Sequence, residues 1–116
     1  MEPEINYHNK QFRVVFNSSA GEVDAGLVFT YRQNRHILTC SYAGGTILQG
    51  FILGKIDPAN GNLDFVYQQI NSAGVLSSGT CHSVPKVLPS GKLQLYESWK
   101  WTFGRSGKGT SILEEI

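Results

Sequence analysis

The sequence predicts an all-β fold: a single antiparallel, up-and-down β-barrel of about eight strands, with residues 1–116 forming one domain. Three observations point there. Apolar and polar residues alternate with period two through most of the chain, and no stretch sustains the i, i+3, i+4, i+7 spacing of an amphipathic helix. The alternating runs are rich in Val, Ile, Thr and aromatics, which suit a pleated, half-buried surface. The 13 glycines fall mostly between those runs, where tight hairpins need them. A two-sheet β-sandwich is the alternative architecture.

Taken in order, the first run is Gln11–Asn17, with Phe12, Val14 and Phe16 on one side and Arg13, Val15 and Asn17 on the other. The second, Leu27–Gln33, places Leu27, Phe29 and Tyr31 together. Asn34-Arg35-His36 separates it from Ile37–Tyr42, and Ala43-Gly44-Gly45-Thr46 leads into Ile47–Ile56. Gly50 and Gly54 lie inside that run and read as bulges or bends. Asn60-Gly61-Asn62 precedes Leu63–Ile70, and Ser72-Ala73-Gly74 precedes Val75–Ser83, which holds an internal Gly79. Ser90-Gly91-Lys92 opens Leu93–Trp101, and the last run is Thr110–Glu115. Gly-x-Leu-x-apolar occurs at Gly61 and again at Gly91, which we read as one hairpin rule used twice. Closing the sheet removes the exposed edges that a strand-rich chain with 16% charged residues would otherwise present.

Composition excludes several classes. A hydrophobic content of 41% with net charge +1 is incompatible with disorder. That charge offers no basic footprint for nucleic acid, and no apolar run approaches the ~20 residues that span a bilayer. Residues 1–4 are acidic where a secretory signal would be basic and then apolar, so the expected location is the cytoplasm. Cys40 and Cys81 are then expected to be free, buried thiols.

The residues that bear on function lie on two strands. Leu93, Leu95, Glu97, Trp99 and Trp101 share one face, which carries both tryptophans and should point inward. Glu97 thereby stands among rings, where an unpaired carboxylate is costly, and it is expected to meet a buried donor or to carry a raised pKa. Leu63, Phe65, Tyr67 and Gln69 share a face that becomes polar toward one end, as the mouth of a binding barrel would. Tyr67, Gln69, Glu97 and Trp99 are therefore the candidate ligand-binding residues.

Other patterns carry less. Cys81 and His82 are adjacent on a strand and point to opposite faces, so they do not form a nucleophile pair. The three histidines are scattered without metal-ligand spacing, so neither a metal nor a cofactor is expected. Gly104 to Thr110 imitates a phosphate loop, but Thr102 occupies the first glycine position and Gly109 follows Lys108. It reads as a basic hairpin loop. Asn17-Ser18-Ser19 matches a glycosylation sequon that matters only in a secreted protein.

The run Gly61-x-Leu63-x-Phe65-x-Tyr67-Gln68-x-x-Asn71-x-x-Gly74, then Gly79-x-Cys81-His82-Ser83-x-Pro85, Leu88-Pro89-x-Gly91, Glu97-x-Trp99-x-Trp101-Thr102 and Glu114-Glu115-Ile116, resembles a family of small uncharacterised bacterial proteins. Its members often carry the name "N-acetylglutamate synthase". That name would imply a mixed α/β acetyltransferase with an Arg/Gln-x-x-Gly-x-Gly/Ala turn opening a helix. Arg105-Ser106-Gly107 places glycine one residue too early for it. The predicted barrel also resembles the avidin/lipocalin, calycin-type architecture, which implies a small organic ligand. No catalytic residue carries over from either resemblance.

The first functional expectation is thus a non-enzymatic, small-molecule-binding barrel. The alternative is a structural or protein-interaction module with a packed interior, and an N-acetylglutamate synthase stands last. An interior cavity below ~300 Å³ would count against the binder. Val15, Val28 and Leu113 are expected to face outward, where two barrels could pair as a homo-oligomer.

Overall fold

Inward-facing side chains close this chain around one core, and the strand order shows how. The computed structural model describes residues 4–18, 21–22 and 26–116. Residues 1–3 of the acidic N-terminus and Ser19 of the sequon lie outside the described residues. The strands are β1 (Gln11–Asn17), β2 (Val28–Thr30), β3 (Arg32–Asn34), β4 (Ile37–Gly44), β5 (Ile47–Ile56), β6 (Leu63–Asn71), β7 (Leu76–Val87), β8 (Leu93–Phe103) and β9 (Lys108–Glu115). They form one antiparallel sheet in the order β2-β1-β9-β8-β7-β6-β5-β4-β3. The two ends of that order, β2 and β3, are separated in the chain by Tyr31 alone, so the sheet returns to itself as a nearly closed barrel. Among the described residues there is no helix, and none therefore long and apolar enough to cross a membrane.

The expected second strand is the seam. Up to Thr30 it pairs with β1, and Tyr31 N–H still donates to Lys10 O at 2.9 Å. From Arg32 the partner is β4. One segment thus changes partners at a fully buried tyrosine, which is why it counts as two strands.

Alternation predicts the inward faces well. Leu27, Phe29 and Tyr31 are buried, as are Leu63, Phe65, Tyr67 and Gln69, and Leu93 through Trp101 at every second residue. Three local expectations need correction. In β1 the register with β9 slips between Val14 and Phe16, making Val15 a bulge residue. The extra residue reverses the alternation, so Phe16 is 50% exposed and Asn17 turns toward the interior. Gly50 and Gly54 are not bulges: the β4–β5 and β5–β6 ladders run through both, and the slip lies between Ile47 and Gln49. What they provide is room, since a Cβ on Gly50 would stand 2.2 Å from the Tyr42 ring, and one on Gly54 2.6 Å from Asp64 O. Finally, Leu113 is buried; its register partners are Leu95 and Val14, and its outward neighbour is Ile112. Val15 and Val28 do face solvent.

β7 continues past the expected Ser83 and through Pro85. There it has outrun β6, whose first residue Leu63 pairs with Ser83, so β8 is its one neighbour and the missing proline N–H leaves no ladder bond empty on the other side. The repeated Gly-x-Leu-x-apolar pattern is one turn rule used twice: Gly61 and Gly91 both hold positive φ (78° and 88°) immediately before β6 and β8.

The two ends of the barrel differ. At the end where β1 begins, Tyr7, Phe12 and Tyr31 form a ring cluster with centroids 4.9–6.4 Å apart, all fully buried. Tyr7 Oη donates to Gly61 O at 2.5 Å, tying the segment before β1 to the turn before β6. That end is plugged. At the opposite end the inward side chains are Tyr42, Tyr67, Gln69 and Trp101, and the interior space opens toward them.

Candidate functional site

The open end holds an interior cavity of about 70 Å³. All four sequence-predicted residues, Tyr67, Gln69, Glu97 and Trp99, line it, together with Tyr31, Tyr42, Cys81, Trp101 and Ser111. The sheet register makes this convergence necessary. Tyr67, Gly79 and Trp101 are direct cross-strand partners on β6, β7 and β8, as are Phe65, Cys81 and Trp99 one pair deeper. Below them lies the row Leu63, Ser83, Glu97 and Ser111.

The aromatic wall is built from edge-on contacts. Trp99 and Trp101 are 6.1 Å apart at 64°, and Tyr67 meets Trp101 at 5.3 Å and 76°. Gly79 makes this possible, because a Cβ there would stand 2.3 Å from both Tyr67 Oη and Lys100 O. Without that Cβ, Tyr67 Oη donates to Lys100 O at 3.3 Å. Burial raises the pKa of Tyr67 and of Tyr42, so both remain neutral phenols.

Glu97 is the polar centre of the interior, with 8% of its surface exposed. Its Oε1 accepts from Ser111 Oγ at 3.0 Å. The expected buried donor is therefore a serine hydroxyl. Its Oε2 has no partner of hydrogen-bonding geometry, and neither has the fully buried Tyr31 Oη that also lines the cavity. Desolvation raises the Glu97 pKa to about 7, and the hydroxyls of Ser111 and Ser83 and the Cys81 thiol, standing close by, restrain that rise. Near neutrality the carboxyl therefore changes between hydrogen-bond donor and acceptor.

Cys40 and Cys81 are both free and buried. Burial, then the neighbouring Glu97, pushes the Cys81 thiol well above its ordinary value, which makes it a poor nucleophile. His82 points the other way, half exposed on the outer face, with Nδ1 2.7 Å from Asp64 Oδ1. The two do not cooperate.

Sequence reasoning missed the residues at the rim. Glu22, between β1 and β2, places its carboxylate over the cavity mouth with only 8% of the side chain exposed. Gln69 Nε2 donates to its Oε1 at 2.6 Å; Asn71 Nδ2 and Arg105 Nη1 reach its Oε2 at 2.7 and 3.2 Å. Arg105 comes from the glycine-rich β8–β9 loop that imitated a phosphate loop, and its guanidinium lies 5.2 Å from the Trp101 ring centroid. Its position after a tryptophan-rich strand was the one available sequence signal. A larger concavity of about 970 Å³ exists on the outer face, along β5 to β9. Leu53, Val66, Thr80, Lys100 and the Asp64–His82 pair line it. Among the described residues no group of His, Cys, Asp or Glu could hold a metal ion.

Comparison with known proteins fits this geometry at the level of family. The family described as avidin-like protein matches residues 5–116, nearly the whole chain. No curated protein and no solved structure gives a significant match.

Proposed function

The chain belongs to the avidin-like protein family, and from that premise we propose that it is a non-enzymatic binder of a small organic molecule, held inside the open end of the barrel. One observation carries this reading: Glu97 and Tyr31, each with a buried oxygen (Oε2 and Oη) that makes no hydrogen bond of good geometry, are among the residues that line the interior cavity. Buried polar groups are ordinarily paired, and each unpaired one costs roughly 1–3 kcal/mol. A ligand carrying a donor and an acceptor would supply both partners. In this reading Trp99 and Tyr67 form the apolar wall, Gln69 the rim, and Glu97 the polar floor.

The cavity limits the ligand. At about 70 Å³ it is well under the ~300 Å³ of ordinary ligand pockets, which counts against a ligand enclosed whole and restricts the buried part to a small polar group of a few heavy atoms. The same small volume is the observation that favours the second reading, a protein-interaction module with a packed interior. Native mass spectrometry of the protein purified from its own host separates the two. The binder reading expects a retained small mass that is lost in Glu97→Leu and Trp99→Ala. A bare protein mass, with tryptophan fluorescence insensitive to extracts of host metabolites, would favour the packed module. An acetyltransferase has no support in the site, and calorimetry with acetyl-CoA is expected to give no heat of binding.

A further inference from the structure

Three donors at the rim converge on one point; the two amides are held there by bonds that do not involve its occupant, and the guanidinium by an aromatic contact. Gln69 is 2% exposed; its Oε1 accepts from Tyr42 Oη at 2.7 Å, which forces Nε2 toward the mouth. Asn71 Oδ1 accepts from Ala73 N and Val75 N, both at 3.0 Å, in the β6–β7 turn, which forces Nδ2 the same way. Arg105 rests on Trp101. Gly104 fixes that loop against the same turn: it has φ +77°, and a Cβ there would lie 2.0 Å from Leu76 O. Two amide donors and one guanidinium, preorganised over an aromatic wall, match the two oxygens and single negative charge of a carboxylate. The present occupant is itself a carboxylate, Glu22, whose side chain beyond Cα is chemically a propionate.

We infer that Gln69, Asn71 and Arg105 form a carboxylate receptor, and that the barrel's ligand is a small monocarboxylate whose acid group takes the place held by Glu22. This rests on the binding reading above and names its ligand class. Gln69 and Asn71 are oriented without Glu22, and Arg105 keeps its contact with the Trp101 ring, so removing Glu22 should leave the receptor formed and vacant. In the intact chain the tethered carboxylate competes with any free one, which makes Glu22 an internal competitor that sets the affinity.

The test uses sodium propionate and its neutral isostere propionamide, titrated at constant ionic strength into the wild type, Glu22→Ala, Glu22→Gln and the double variant Glu22→Ala/Arg105→Ala. Tryptophan fluorescence and the thermal midpoint are the readouts, since Trp101 lies directly under Arg105. Propionate should bind Glu22→Ala at least ten-fold tighter than the wild type and ten-fold tighter than propionamide. The double variant should lose that preference for the anion. Glu22→Gln, which keeps the packing, guards against a folding defect in Glu22→Ala and should still show a gain over the wild type. Saturable binding of propionamide without a preference for propionate would overturn the carboxylate receptor and leave the binding barrel standing. No binding of either probe to variants with native near-UV circular dichroism would likewise overturn the carboxylate receptor, while the binding barrel stands or falls on the retained mass.

Discussion

Glu97 should make the protein less stable as the pH rises through neutrality, and replacing it should remove that dependence. The group is buried, and its carboxyl has a pKa near 7 in the folded chain against the ordinary 4.5. Between those values the folded state holds a proton that the unfolded state has released, so stability falls with increasing pH. Below about 4.5 both states are protonated and nothing is lost; above about 7 the full cost is present. A gap of about 2.5 units at 1.36 kcal/mol each gives about 3 kcal/mol. With an unfolding entropy of ~2.1 cal/mol/K per residue, that corresponds to roughly 12 °C in the melting midpoint. Glu97→Gln keeps the shape and cannot ionise. Thermal unfolding of both proteins between pH 5 and 8 should show Glu97→Gln gaining progressively on the wild type, by up to that amount at pH 8. Parallel stability curves over this range would refute the argument, because they would mean that the carboxylate is charged or solvated throughout.

Four other perturbations probe the same interior. Tyr7→Phe strands the Gly61 carbonyl and should cost about 1–3 kcal/mol in urea unfolding, whereas Tyr31→Phe removes a hydroxyl with no partner and should be neutral or stabilising. Gly79→Ala drives a methyl into Lys100 O and Tyr67 Oη; it should cost about 1–3 kcal/mol or more and alter the near-UV spectrum of the aromatic wall. Burial pushes the Cys40 thiol up to about 12 and the Cys81 thiol well above its ordinary value, so a thiol reagent at pH 8 should label neither until the chain unfolds. Rapid labelling of the native protein would contradict the closed barrel interior.

The barrel was legible because a half-buried strand writes its two faces into alternate residues, and β6 and β8 do so without interruption. That parity alone put Tyr67, Gln69, Glu97 and Trp99 in one interior. It breaks where a strand gains a residue: the bulge at Val15 sends Phe16 outward and Asn17 inward, and no local residue announces it. It is silent where neighbours are both apolar, as with Ile112 and Leu113, since either assignment preserves an alternating pattern. The rim was illegible for another reason. Glu22, Asn71 and Arg105 meet because two loops and the end of β6 reach the same end of a nearly closed sheet, and sequence spacing of 49 and 83 residues contains no trace of that meeting.

The placement of polar groups inside the barrel argues for use rather than accident. Along β8 the inward face runs Leu93, Leu95, Glu97, Trp99, Trp101, so the carboxyl sits between two leucines and an aromatic wall. A leucine at 97 would extend the packing of Leu95 without ionisation cost and without leaving Oε2 unpaired. Apolar residues would serve at least as well at such a position if stability were the only requirement. The polar row also continues toward the open end, through Gln69 to Glu22, whereas the plugged end directs its one internal tyrosine hydroxyl bond, from Tyr7, to backbone. A local rule broken beside an interior cavity marks the functional part of the barrel. The stability that Glu97 removes above neutral pH is then the cost of keeping an ionisable group where a ligand can reach it.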